Sequence, residues 1–206
     1  MTRAAVALIP AFNAARTVGE VIRGLLARAP WRDGGTVLVV DDGSEDSPRP
    51  VTAPTSAFVL RHDGNRGKGA ALRTGFERAL ALGAETAVTV DADGQHFPEE
   101  AARLAAHPAP TSALILGVRD LVRDGAPRPN RFSNGVSNFF LSRLAGQPLH
   151  DTQCGLRRYP LRATLDLHAE DDGYAFEAEC VLRAARAGLS IVEVPVRVHY
   201  PPEPER

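Results

Sequence analysis

The sequence has little sulfur: Cys154 and Cys180 are the two cysteines in 206 residues. They form no C-x-x-C pair and have no metal-ligand spacing, which excludes a thiol redox motif and a structural zinc site. They read as small packed side chains in a reduced, cytosolic chain. An excess of one charge is also lacking. The formal net charge is −1, so no nucleic acid is expected as a partner. No apolar run approaches the ~20 residues needed to cross a bilayer. The N-terminal run A-A-V-A-L-I-P is too short for a signal peptide and leads straight into a strand-like pattern. The chain is therefore expected to be cytoplasmic, able to touch a membrane but not to cross one. There is no repeat, low-complexity tract or clear linker, so residues 1–206 read as one domain.

What is present is a hydrophobic share of 44%, enough for a full core. It comes in two alternating kinds of segment. Short apolar runs at Ala4–Ile9 (stopped by Pro10), Thr36–Val40, Ala57–Leu60, Thr86–Val90 and Ala113–Leu116 predict buried strands. Between them lie helical patterns. Val18, Val21, Ile22 and Leu25 recur at helical spacing, with Asn13 as a cap or Thr17 and Glu20 as a capping box. Gly69–Leu82 is helical, and Pro98 suits the first position of a third helix. This β-α-β order predicts an α/β protein with a mostly parallel sheet flanked by helices. The second half is less regular. Arg119–Arg131 reads as a basic loop. Phe132–Leu144 reads as a helix whose face of Phe132, Val136, Phe139 and Phe140 is expected to be core. Cys154–Tyr159 predicts a short strand and Phe176–Ala187 a helix closed by Gly188. Alternation from Val192 to Tyr200 predicts a last strand, at an edge because of Pro195.

Ligands of parallel α/β sheets bind at the carboxyl ends of the strands. Those ends here carry Pro10–Asn13, Asp41–Asp42–Gly43–Ser44, Asp91–Asp93 and Gly117–Arg119. In V-T-V-D-A-D-G-Q-H-F-P-E-E, Asp91 and Asp93 stand two apart beyond an apolar run, where their charges repel. A divalent cation would relieve that repulsion, and hard oxygen ligands suit Mg²⁺ or Mn²⁺. G-N-R-G-K-G is not a P-loop: His62 stands where the first glycine is needed, and Gly69 follows Lys68 in place of Ser or Thr. Its glycines instead read as letting the backbone approach a nucleotide, with Lys68 as a charge partner.

Taken together, A-L-I-P-A-F-N, V-V-D-D-G-S-E-D, N-R-G-K-G-A-A-L-R-T-G, D-A-D-G-Q-H-F-P-E and G-V-R-D resemble the nucleotide-sugar half of glycosyltransferase family 2, with its Rossmann-like GT-A fold. N-R-F-S-N, D-T-Q-C-G-L-R-R-Y, G-Y-A-F-E-A-E and I-V-E-V-P-V are similar to its polyprenyl-phosphate subgroup, that of dolichyl-phosphate mannose synthase and dolichyl-phosphate β-glucosyltransferase. The resemblance covers nearly the whole chain, with a nucleotide-sugar half at about 1–118 and an acceptor half at about 119–206.

The resemblance implies an inverting hexosyltransferase that uses a nucleoside-diphosphate sugar, a divalent cation and a polyprenyl-phosphate acceptor. Pro10, Phe12 and Asp42 would line the nucleobase pocket, and Asp91 would lie near the ribose or diphosphate. Asp93 and Gln95 match metal-binding positions. Phe12 and Ala14 stand where members often carry Tyr and Glu, which leaves the base open. Arg119 and Arg131 match arginines that would hold the acceptor phosphate, and Asp93, Arg119 and Glu179 are the catalytic candidates. A phosphate monoester is already anionic, whereas a hydroxyl acceptor needs a base; Asp151, Glu177 and Glu179 are the candidates for that role. Glu177 and Glu179 cannot share a helical face. Meeting a lipid acceptor would place the protein on the inner face of a membrane, peripherally or through a membrane-anchored partner protein.

The alternatives are transfer to a hydroxyl of a glycan or lipid, a receiver-like signalling domain, a sugar nucleotidyltransferase and a non-catalytic nucleotide-sugar binder. A receiver would begin near V-L-V-V-D-D and close within about 120 residues. A nucleotidyltransferase would need a G-x-G-x-R loop after the first strand. The intact D-A-D-G-Q-H argues against a mere sensor.

Overall fold

The computed structural model describes residues 5–46 and 57–200. Strands β1 (Val6–Ala11), β2 (Val37–Asp41) and β4 (Thr86–Thr89) are buried at every position. Covering on both sides explains why they read as continuous apolar runs rather than alternations. Within β1, Ala7, Ile9 and Ala11 join one core while Val6 and Leu8 join the other, as the two-residue period of a strand requires. The first core is closed by α1 (Val18–Leu26) and α3 (Pro98–Ala105), with Trp31 beneath them. On the opposite face lie α2 (Lys68–Ala81) and α6 (Phe176–Arg186), where Phe76 packs between Tyr159 and Phe176.

The seven strands are ordered β3-β2-β1-β4-β6-β5-β7. β3 (Ala57–Arg61), β2, β1 and β4 run parallel. β6 (Arg157–Pro160) is antiparallel to both β4 and β5 (Leu114–Arg119), so the carboxyl ends of β4 and β5 share one edge. β7 (Ile191–Val196) pairs parallel with β5 at the sheet edge, as Pro195 predicts. The expected single-domain α/β sheet is therefore present. A short α5 (Leu161–Asp166) follows β6 and was not anticipated.

Several local expectations are corrected. Pro10 does not stop β1; it lies within the strand, opposite Val40, and is buried. Ala4, the expected first residue of that strand, lies outside the described residues. Neither proposed cap closes α1. Thr17 makes no capping bond, and its hydroxyl donates to the Ala92 carbonyl at 2.6 Å. Asn13 accepts from the Glu45 N–H at 2.9 Å and donates its own N–H to Ser44 Oγ at 2.9 Å, tying the ends of β1 and β2 together. Both polar side chains are drawn into tertiary contacts that helix-local reasoning does not contain.

The 119–131 loop is shorter than expected, because α4 (Arg128–Ala145) begins at Arg128 and takes Arg131 into its first turn. The aromatic face of α4 is not core. Phe132, Phe139 and Phe140 are 77%, 65% and 60% exposed, and within the helix Asn134 and Leu141 are the buried residues. Helical spacing defines a face, not what covers it. No helix among the described residues is long and apolar enough to cross a membrane.

Candidate active site

The turn after β2 uses its charge internally. Asp41 accepts from the Ser44 N–H and from Arg61. Asp42 is 3% exposed. Its Oδ1 lies 2.6 Å from His62 Nδ1 and accepts the Arg66 N–H at 3.0 Å, and its Oδ2 accepts the Gly67 N–H at 2.7 Å. It thus fastens the 62–67 loop through the protein's own donors. Gly67 has φ near 98°, and a Cβ there would stand 2.2 Å from the Asp172 carbonyl. Gly67 and Gly69 of G-N-R-G-K-G therefore let the backbone approach the protein's own 171–172 segment. Beside this turn, Phe12 projects from the end of β1 with 45% exposure.

The turn after β4 is arranged differently. Lys68, at the start of α2, donates to Asp91 Oδ1 at 2.8 Å and stands 2.8 Å from Glu177 Oε2. His96 Nε2 lies 3.2 Å from Asp91 Oδ2, so that nitrogen carries the proton. Burial opposes the charge on Asp91, but Lys68 and His96 outweigh it and hold the carboxyl well below the usual range. Burial likewise disfavours charged Lys68, and Asp91 and Glu177 more than offset it, so the amine stays protonated. Gly155 is required here: a Cβ would stand 2.2 Å from Asp91 Oδ2.

Asp93 forms no ion pair among the described residues; one oxygen accepts the Gln95 N–H at 2.9 Å. Partial burial of its carboxyl and the nearby charge of Asp91 push its pKa up, against the pull of that N–H and of His96 and Lys68. Asp91, by contrast, has both Lys68 and His96 against it. Among the described residues no three His, Cys, Asp or Glu side chains converge as a metal cage. The set fits a hard cation that takes part of its shell from a phosphate ligand, as Mg²⁺ and Mn²⁺ do.

The acidic residue of α6 that joins this cluster is Glu177. Glu179 faces elsewhere: it accepts the Glu170 and Asp171 N–H groups at 2.9 Å each and pairs with Arg183 at 2.7 Å. Glu179 thus stands apart from the Lys68–Asp91–Glu177 cluster. Two residues along a helix turn a side chain by about 200°, and the sequence could not say which of the two would face inward. Glu177 Oε1 is buried without a hydrogen-bond partner.

Arg119 and Arg131 line one cavity of about 510 Å³ together with Asn134, Asn138 and His150. Arg119 is fixed there by fully buried Asp151, which accepts from its Nε at 2.7 Å and its Nη2 at 2.9 Å. Asp151 is therefore not free to act as a base. Asn134, missed as a site residue although N-R-F-S-N contains it, is 3% exposed, and its side-chain oxygen has no partner. Segment 198–200 links this cavity to the acidic turn. The His199 N–H donates to the Gln95 carbonyl, and Tyr200 lies 3.2 Å from Arg119 Nη1. The cysteines are buried as read, and burial pushes the Cys154 and Cys180 thiols up to about 12.

The mostly parallel sheet flanked by helices is the GT-A fold, shared with solved sugar transferases. The match to the model for glycosyl transferase family 2 spans residues 6–164, and the chain belongs to that family as a glycosyltransferase. It is 33% identical to the undecaprenyl-phosphate mannosyltransferase of Micrococcus luteus, over 92% of this chain and 81% of that one. It is 31% identical to the polyprenol monophosphomannose synthase of Mycolicibacterium smegmatis, over 95% and 77% of the two chains. Among solved structures, glucosyl-3-phosphoglycerate synthase from Mycobacterium tuberculosis with Mn²⁺, UDP and phosphoglyceric acid has the same fold. It has a TM-score of 0.68 at 19% identity, over 98% of this chain and 72% of that one.

Proposed function

We propose that this glycosyltransferase moves a hexose from a nucleoside-diphosphate sugar to the phosphate of a polyprenyl-phosphate lipid, with inversion at the anomeric carbon. The acceptor phosphate oxygen forms the new bond to that carbon as the bond to the donor diphosphate breaks. The diphosphate leaves with the electron pair, and an α-linked donor gives a β-linked product. The supporting observation is the cavity at the end of β5, which Arg119 and Arg131 line together. Two relatives bear names of polyprenyl-phosphate sugar transferases.

Asp93 and Gln95 would hold the Mg²⁺ or Mn²⁺ ion, which when bound supplies Lewis-acid charge to the leaving diphosphate. Phe12 would offer its exposed ring to the nucleobase above Pro10. Asp42 would shape that pocket through the 62–67 loop rather than by touching the base. Lys68 and Asp91 would meet the diphosphate and ribose, with Lys68 kept charged by its two carboxylate neighbours. Arg131 would carry the acceptor phosphate, with Arg119 held beside it in fixed orientation by Asp151. An ionised phosphate needs no base, which agrees with Glu179 being committed to the 170–171 loop.

The test is transfer of radiolabelled sugar to polyprenyl phosphate and to the matching alcohol, with only the phosphate expected to be labelled. Arg131→Ala should raise KM for the acceptor roughly tenfold or more, since charge-assisted bonds contribute about 1.5–3 kcal/mol, with the donor KM little changed. It is a cleaner probe than Arg119→Ala, which also strands Asp151. Labelled alcohol, with Arg131→Ala fully active, would establish a hydroxyl acceptor instead.

A further inference from the structure

The cavity beside Arg119 has a histidine that the phosphate reading leaves unused. His150 precedes the Asp151 that fixes Arg119, and it lines the cavity together with both arginines. It is anchored at three points. Its N–H donates to Glu193 Oε1 at 2.7 Å, its ring Nδ1 lies 2.5 Å from Glu193 Oε2, and its carbonyl accepts from Asn138 Nδ2 at 2.6 Å. Glu193 is the one charged residue of I-V-E-V-P-V in β7. A carboxylate can only accept, so Nδ1 carries the ring proton and a neutral His150 keeps its lone pair on Nε2. That nitrogen has no partner among the described residues, and the side chain is 66% exposed.

We propose that His150 is a further catalytic residue, which takes the last acidic proton of the acceptor phosphate on Nε2 while Glu193 holds the ring. The inference deepens the lipid-phosphate reading and rests on it. A phosphate monoester loses its second proton at about pH 6, so near neutrality part of the acceptor arrives as the monoanion. Its P–O–H proton passes to Nε2 and the electron pair stays on the oxygen. The resulting dianion attacks the anomeric carbon. The imidazolium stands between Glu193 and the phosphate, and its exposed edge returns the proton to solvent after transfer. The surrounding charges favour both products of the proton transfer. Arg119, Arg123 and Arg131 line the cavity and favour the dianion, while Asp120 there and Glu193 favour the imidazolium. Asp151 is matched by Arg119.

The experiment is sugar transfer by the whole protein from radiolabelled GDP-mannose or UDP-glucose, whichever the parent turns over, to a short, water-soluble polyprenyl phosphate. Acceptor kinetics are followed across the pH range in which that phosphate titrates. His150→Ala should raise the acceptor KM roughly three- to tenfold throughout, with the donor KM unchanged. His150→Gln places an amide near the position of Nε2. The amide can bond the dianion but cannot take up a proton, so its acceptor KM should stay near the parent's in alkaline solution. In the parent, the complex that carries one shared proton is competent. In both variants only the dianion can react, so the acid limb of kcat/KM for the acceptor should move to higher pH. A merely structural role would not separate Gln from Ala in this way. An acid limb and an acceptor KM unchanged in both variants overturn the proposal while the acceptor reading stands. Transfer by the parent to the matching alcohol and not to the phosphate overturns both.

Discussion

The two acidic turns, Asp41–Asp42 after β2 and Asp91–Asp93 after β4, look alike in sequence but are used in opposite ways. In the first, both carboxylates are buried and take hydrogen bonds from Ser44, Arg61, His62, Arg66 and Gly67. In the second, Asp91 is balanced by Lys68 and His96, and Asp93 forms no ion pair among the described residues and has a raised pKa. A carboxylate whose lone pairs are filled by the protein stabilises a loop. One that is left short of partners is available to a ligand. Strand-end aspartates are thus classified by their donors, not by their motif.

The largest expected effect breaks the first turn. Asp42→Ala removes the acceptor for two backbone N–H groups and a histidine, and unsatisfied buried donors cost about 1–3 kcal/mol each. Urea unfolding should show a loss of about 3 kcal/mol or more, with nucleotide affinity falling as a consequence of the displaced loop. A variant of parental stability that has lost only nucleoside binding would put Asp42 on the base after all. In the second turn, Asp93→Asn should do the reverse. It removes a charge that Asp91 repels, so the melting temperature without ligand should hold or rise. Mn²⁺-dependent binding of a nucleoside diphosphate, read by calorimetry, should drop roughly a hundredfold. Retained metal-dependent binding would erase the distinction between the turns.

A smaller effect separates the two glutamates of α6. Glu177→Gln removes one counter-charge from Lys68 and should cost about 1–2 kcal/mol, with a matching loss of sugar transfer. Glu179→Gln, a change at a partly exposed pair with Arg183, should cost about 0.5 kcal/mol and leave turnover nearly intact. The smallest effect is one of pH. Burial disfavours the charge on Glu179, but the Asp171 and Glu170 N–H groups and Arg183 outweigh it and lower its folded-state pKa. Its stabilisation is therefore complete above the ordinary carboxylate range and is lost as pH falls through the lowered value. The hydrogen-exchange protection of the Glu170 and Asp171 amides should fall as pH drops through that lowered value, and Glu179→Gln should lack that step.

The sequence by itself determined the α/β architecture, because buried strands and amphipathic helices each leave a local period. Turn residues likewise marked the strand ends. It identified the edge where Asp91, Asp93 and Arg119 gather, because topology sends all parallel strand ends the same way, and it placed Pro195 on an edge strand. It did not decide which polar groups would be consumed internally. The partners of Asp42 lie 20 to 25 residues away in the 62–67 loop, and those of Arg119 lie 32 and 81 residues away. Such contacts leave no periodic trace. The choice of Glu177 over Glu179 turned on the rotation of α6 against α4 and α2. The exposure of Phe132, Phe139 and Phe140 turned on what lies across from α4. Each depends on packing between elements distant in sequence, which only the tertiary structure supplies.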